Sequence, residues 1–242
     1  VGRFFDASTE EDFAKVLQLI ISHVIDNTTA QVDLLDENGD PNETDINLTF
    51  YDEFTGMTKY NFVHNIHTRD KQKYPDTMII DPVLSYKVVA HTIPPVSVEN
   101  ITLNPGKHTI IPLRTPQGTL EIIMNTKQNY PCIIRESGSA TTLHVQNVNN
   151  SEKYLVGDYD IEVLSLPRII YNNVKIQQSG EHRLIIPPPA LVNIKLPSKG
   201  YGGLYAKNSD QLEQIYHFKG AKIEHKLELL PGSYKVVFIS KK

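Results

Sequence analysis

The sequence predicts a mainly β protein: tandem small β-sandwiches with one amphipathic helix ahead of them. The first observation behind this is an internal repeat. Residues 85–122, SYKVVAHTIPPVSVENITLNPGKHTIIPLRTPQGTLEI, run in step with residues 158–196, DYDIEVLSLPRIIYNNVKIQQSGEHRLIIPPPALVNIKL. Tyr86 and Tyr159 are 73 residues apart, Gly106 and Gly180 are 74 apart, and His108 and His182 are 74 apart. A further copy opens at PGSYKVVFI, which puts Tyr234 75 residues beyond Tyr159. A fixed period of this size means that one supersecondary unit has been used several times. The second observation is that short β-branched runs alternate with Gly, Pro, Asn and Asp clusters from Asn27 onward. The third is that a helical period occurs only ahead of that point.

Residues 1–27 form the first segment: a short strand, a cap and a helix over 9–25. Phe13, Val16, Leu17, Ile20, Ile21 and Val24 follow the i, i+3, i+4, i+7 spacing that gathers apolar side chains on one face. Ser8 with Glu11 reads as a capping box, and Glu10, Glu11 and Asp12 suit a helix N-terminus. Burying a Leu or Ile contributes about 1.5–3 kcal/mol. The face is therefore expected to pack on the first sandwich or on a second chain, as a homodimer through helix 9–25.

The first sandwich is placed at 28–114, with strands at 31–35, 46–52, 59–65, 84–92, 98–103 and 108–113. The second spans 115–188, with strands at 119–124, 131–135, 141–146, 157–164, 170–177 and 182–186. The third spans 189–242, with strands at 191–196, 203–207, 213–218, 222–230 and 233–240. Each opens on a similar strand, VDLLD, LEIIM or VNIKL, and each carries a late tyrosine expected to form a corner, ring buried and hydroxyl bonded to backbone. Pro94, Pro95, Pro187, Pro188 and Pro189 mark strand ends, since proline cannot serve a central ladder.

Composition narrows the function. The chain has 24 basic and 28 acidic residues and a net charge of −4, which gives no electrostatic footprint for nucleic acid. The lone Cys132 excludes an intramolecular disulfide framework and reads as a buried, inert thiol. No signal peptide opens the chain, and no apolar run approaches the roughly 20 residues of a membrane span. The start at Val1 and the short third copy suggest a fragment of something longer.

Several motifs carry candidate chemistry. Asp36, Asn38 and Asp40 alternate like the start of a calcium loop, although Pro41 and Asn47 stand where an EF-hand wants Gly and Glu. They are the metal-site candidates, with calcium the only cofactor considered. His64 and His67, with Asp70 nearby, form a second, weaker metal set. Asp6-Ala7-Ser8-Thr9-Glu10 approximates a D-x-S-x-S metal loop but ends in Glu rather than Ser. Asn27, Asn42, Asn47, Asn100 and Asn149 start N-glycosylation triplets. His108 and His182, kept by two copies, point to a service to the shared fold. Turn 36–45 and the tyrosines Tyr201, Tyr205 and Tyr216 are the candidate binding loops and face. No catalytic constellation, phosphate loop or dinucleotide fingerprint emerges.

Three stretches carry a resemblance. GRFFDASTEEDFAKVLQLII is similar to the last strand and helix of a von Willebrand factor type A domain. HTIPPVSVENITLNPGKHTIIPLRTPQGTLEI resembles the repeated β-domains that follow such a domain in exported proteins of Bacteroidetes-like bacteria. VDLLDENGDPNETDINLTFYDEFTG resembles prealbumin-like, carboxypeptidase-regulatory-like modules. The resemblance implies prealbumin/Ig-like sandwiches in the tail of an exported, periplasmic or cell-surface bacterial protein whose metal-binding part lies upstream. It also implies a non-enzymatic array for adhesion or protein–protein interaction, with a protein or glycan ligand. One alternative is a carbohydrate- or substrate-binding accessory module of an exported hydrolase. Another is a metal-dependent enzyme using His64, His67 and Asp70.

Overall fold

The computed structural model of the chain describes residues 9–69, 72–208 and 211–240. Helix α1 spans Glu10–Asp26. Its cap is Thr9, one residue later than the sequence suggested. The Thr9 hydroxyl oxygen accepts the Asp12 N–H at 3.1 Å while its proton goes to Asp12 Oδ2 at 2.6 Å. That pair satisfies an end-of-helix donor without Glu11, whose side chain instead meets Lys15 at 2.8 Å. Asp6 to Ser8, and with them the rest of the D-x-S-x-S candidate, lie outside the described residues.

The expectation that α1 packs on the first sandwich is not met. Phe13, Leu17, Ile20 and Ile21 keep 45–59% of their surface exposed. The two sheets of the sandwich close on each other instead. Among the described residues no helix is long and apolar enough to cross a membrane.

The chain divides into two compact units, with the boundary between Gln117 and Gly118, three residues beyond the expected end of the first sandwich. In the first unit β1 (Thr29–Leu35) lies between β6 (Thr77–Ile79) and β9 (His108–Arg114), antiparallel to β6 and parallel to β9. The facing sheet runs β3 (Thr58–Val63), β2 (Asn47–Asp52), β7 (Tyr86–Ala90), β8 (Val96–Ile101). A side hairpin joins β4 (Ile66–Arg69) to β5 (Gln72–Pro75). The two-residue side-chain period of strands puts Ala30, Val32 and Leu34 against Leu48, Phe50, Tyr86 and Val88. Phe50 sits among the rings of Tyr60, Phe62 and Tyr86, at centroid distances of 6.0–6.1 Å.

The second unit begins by repeating that plan. β10 (Gln117–Met124) lies between β13 (Ser151–Leu155) and β16 (Glu181–Ile186), again parallel to the last of these. The facing sheet runs β12 (His144–Asn147), β11 (Pro131–Glu136), β14 (Gly157–Val163), β15 (Ile169–Ile176). The third repeat has the same opening strands but fewer of them. β17 (Ala190–Lys195) pairs with β20 (Glu224–Leu229), and the other sheet runs β19 (Gln211–Phe218), β18 (Gly200–Asn208), β21 (Tyr234–Ser240). Its own core gathers Leu196, Leu204, Phe218, Leu227 and Leu229. The molecule is thus a set of tandem small β-sandwiches behind one helix.

All three repeat tyrosines form the same corner. The hydroxyl of Tyr86 donates to the Asp81 carbonyl and that of Tyr159 to the Leu155 carbonyl, each at 2.8 Å, and Tyr234 donates to the Leu230 carbonyl. Burial pushes all three phenols up, Tyr159 to about 12. The repeated tyrosine is therefore a fold landmark rather than a reactive group.

Candidate functional site

Most of the candidate polar groups are held by neighbouring backbone. Asp36 is 3% exposed and faces its own turn. Its Oδ1 accepts the N–H groups of Asn38 and Asp40, each at 2.9 Å, and its Oδ2 accepts the Asn42 side-chain amide at 2.9 Å. Asn38 and Asp40 are exposed around it. The three residues do come together, as a loop whose central carboxylate holds the turn closed. Among the described residues no group of three or more metal-ligating side chains converges.

His64 follows β3 with its ring in the core of the first sandwich, 1% exposed. Nε2 lies 2.9 Å from the Val32 carbonyl. A carbonyl only accepts, so Nε2 carries the proton and Nδ1 is left with a buried lone pair and no partner. Burial holds its pKa below the ordinary histidine value, against the Val32 hydrogen bond, which raises it. Asp70 and the side chain of His67 lie outside what the structure describes.

The proposed tyrosine face divides. Tyr201 is half exposed, but Tyr216 turns inward, 5.9 Å from Phe218 and 5.7 Å from the His225 ring. The strand register explains this: Tyr216 pairs with Leu204, which faces the core. The three rings therefore do not share one exposed surface. Cys132 is fully buried, and burial raises its thiol to about 12, far from a nucleophile at neutral pH. The repeated histidines serve the fold differently: His108 Nδ1 lies 2.9 Å from the Thr29 hydroxyl across the parallel pair, while His182 sits opposite Leu120.

The feature the sequence reading missed is one end of the first sandwich. The β2–β3 turn projects Phe54, 97% exposed, and Met57 beside it. The loop leading into β7 brings the exposed Val83 to the same end, because β2 and β7 are antiparallel with Asp52 opposite Tyr86. Asp52 shapes the turn: its carboxylate accepts the Thr55 hydroxyl at 2.7 Å and the Phe54 N–H at 3.0 Å, which holds it below the usual carboxylate range. Beside the tip, Tyr51, Asp52, Glu53, Gly56, Lys87, Val89 and Glu99 line a shallow groove of about 520 Å³. Lys87 and Glu99 pair across it at 2.6 Å, and Glu53 accepts the Asn100 N–H at 2.7 Å. Groups so engaged can receive an apolar side chain and orient a polar backbone. The signal in the sequence was DEFTGM, a large aromatic inside a turn-forming stretch where no strand face needs it.

No family model matches the chain, and no curated protein matches it significantly. Among solved structures it is similar to the Bacillus anthracis TIE protein, at 12% identity over 88% of this chain and 46% of that one, with a TM-score of 0.23. It is also similar to a leucine-rich repeat protein from Bacteroides thetaiotaomicron, at 9% identity over 66% of this chain and 26% of that one, with a TM-score of 0.22. The chain spans less than half the length of either, and likenesses this loose define neither a family nor an activity. What defines the class is the chain's own architecture, a tandem β-sandwich array.

Proposed function

We propose that the chain is a non-enzymatic binding and spacer array of an exported or cell-surface bacterial protein containing a von Willebrand type A domain, working in adhesion or protein–protein interaction. The observation that carries this is the tip formed by Phe54, Met57 and Val83, apolar side chains held in water by well-formed turns. An ordered, exposed aromatic is the kind of residue around which binding energy concentrates. The tyrosine hydroxyls that recur between repeats, by contrast, bind their own backbone. A homodimer through helix 9–25 belongs to the same reading, and sedimentation would show it as a doubled mass. Calcium at Asp36, Asn38 and Asp40 is a lesser part of it, since Asp36 would have to release turn donors to bind the ion.

The test is binding of the labelled chain to an array of purified extracellular-matrix proteins and to a glycan array, beside the Phe54→Asp variant. The expected result is a protein hit that Phe54→Asp weakens at least about tenfold, as for a central aromatic anchor. Glycan hits indifferent to Phe54, or turnover of generic ester or peptide substrates, would contradict the reading.

A further inference from the structure

The first two repeats satisfy the same backbone group in different ways, and the difference singles out Glu53. In each, the strand after the corner tyrosine's own carries a bulge. Glu99 and Asn100 of β8 stand together opposite Lys87, and Asn172 and Asn173 of β15 stand together opposite Asp160. Asn100 and Asn173 both take left-handed backbone, at φ 59° and 55°, and both N–H groups leave the ladder for a carboxylate.

In repeat two that carboxylate is Asp160, on β14 itself. Its Oδ1 accepts the Asn173 N–H at 2.9 Å and the Ser137 hydroxyl at 2.8 Å, and its Oδ2 accepts the Gly138 N–H at 3.2 Å. Both oxygens are occupied, and the turn they brace is built of small residues, Ser137 to Ala140. In repeat one Lys87 stands in the place of Asp160, and the carboxylate lies on the turn instead, at Glu53. Glu53 and Ser137 are equivalent, since each N–H donates at 2.9 Å to the carbonyl just ahead of the corner tyrosine, Ser85 or Asp158. Glu53 Oε2 accepts the Asn100 N–H at 2.7 Å and the Ser85 hydroxyl at 3.3 Å, while Oε1 has no partner among the described residues. The cations near it are committed, Lys87 to Glu99 at 2.6 Å and Lys59 to Asp52 at 3.9 Å. Glu53 is thus a half-buried carboxylate with one open oxygen, fixed by backbone in the wall of the groove. The fold does not require this, because repeat two braces the same bulge with both oxygens occupied. Nor does it require Phe54, whose counterpart is Gly138.

We infer that the groove beside Phe54 seats a lysine or arginine side chain of a partner polypeptide on Glu53, while an apolar residue of the same segment packs on Phe54 and Met57. This rests on the reading of the tip as a binding site and names what the tip selects. Charge complementarity chooses the occupant. The groove wall carries the carboxylates of Asp52, Glu53 and Glu99 against the single ammonium of Lys87. Tyr51 and Val89 add apolar surface, along which the methylene stem of a long cationic side chain can lie. The same carboxylates repel an acidic segment, which gives the site its discrimination.

The probe is a display library of random short peptides, panned on the full chain. Enriched peptides are synthesised and titrated against the full chain and its Glu53→Gln and Phe54→Asp variants, at low and high salt. Glutamine keeps an oxygen for the Asn100 N–H, so Glu53→Gln removes the charge and leaves the turn in place. The expected peptides carry Lys or Arg within a few residues of a large apolar side chain. Glu53→Gln should weaken them about threefold to fivefold, as for a partly exposed ion pair. Salt should weaken binding to the unmodified chain more than to that variant. Peptides lost with Phe54→Asp but lacking basic residues would overturn the inference and leave the reading of the tip standing, as would basic peptides indifferent to Glu53→Gln. Peptides indifferent to Phe54→Asp, or no enrichment at all, would overturn both.

Discussion

Repeats two and three begin with the same strands in the same order, and among the described residues repeat two carries two more, which lets burial with and without them be compared. The corner survives in both, with Tyr159 and Tyr234 each donating to a backbone carbonyl four residues back. Both keep a fully buried residue on the first hairpin, Ile134 in one and Phe218 in the other. Among the described residues the third repeat shows no strand beside the outer edge of β21. Val236 and Phe238 occupy the places of Ile161 and Val163, and Val236 keeps 46% of its surface exposed. The hairpins and the corner are thus common to both copies, and the last two strands of repeat two add burial.

That contrast is sharpest in the matched pair Ile161→Ala and Val236→Ala. Truncating a fully buried Ile costs about 2–5 kcal/mol through lost transfer energy and the cavity left behind. Val236 keeps 46% of its surface exposed, so its truncation should cost less than about 1 kcal/mol. Denaturant unfolding of each variant gives the two numbers. Equal losses would mean that β21 is covered in solution.

Acid tests the first repeat. Its fold holds the His64 ring neutral, with the pKa lowered from 6.5, so the unfolded chain takes up a proton that the folded unit refuses. Stability is thus complete above about pH 6.5 and falls as the pH drops below it, by at most about 1.4 kcal/mol per pH unit. His64→Gln, which can still donate to the Val32 carbonyl, should flatten the dependence. A profile between pH 7 and 5 unchanged by that substitution would assign the acid response to another group.

The smallest effects should come from the corners. Tyr86→Phe and Tyr159→Phe each remove a hydrogen bond from a buried ring and should cost about 1 kcal/mol. Tyr234→Phe should cost less, because its ring is only partly buried. A larger loss at Tyr234 than at Tyr159 would mean that the third repeat leans on its corner more than the second does.

Much of this architecture was legible in the sequence, because strands that alternate apolar and polar residues between Gly and Pro punctuation announce themselves. Every strand expected beyond the helix is present, and the short strand expected ahead of it lies outside the described residues. β4 and β5 escaped notice because IHTR and QKYP carry no alternation, β6 because it is three residues long, and β13 because SEKYL is polar around the single buried Tyr154. Candidate site residues were less legible, for a physical reason. Spacing shows that Asp36, Asn38 and Asp40 share a turn, but not that the turn's own N–H groups already occupy the Asp36 oxygens. Composition marks Tyr216 as aromatic, and only the register with Leu204 shows that it faces the core. Phe54 reads as one more apolar residue until the hairpin places it beyond the sheet.

The most direct test of the central claim, one sandwich plan repeated along the chain with β21 uncovered among the described residues of its third copy, is amide hydrogen exchange across the unmodified chain. Alternate amides of β21, those pointing away from β18, should exchange on the order of a hundredfold faster than their counterparts in β7 and β14, which β8 and β15 cover. Uniform protection along β21, matching β14 residue for residue, would contradict it.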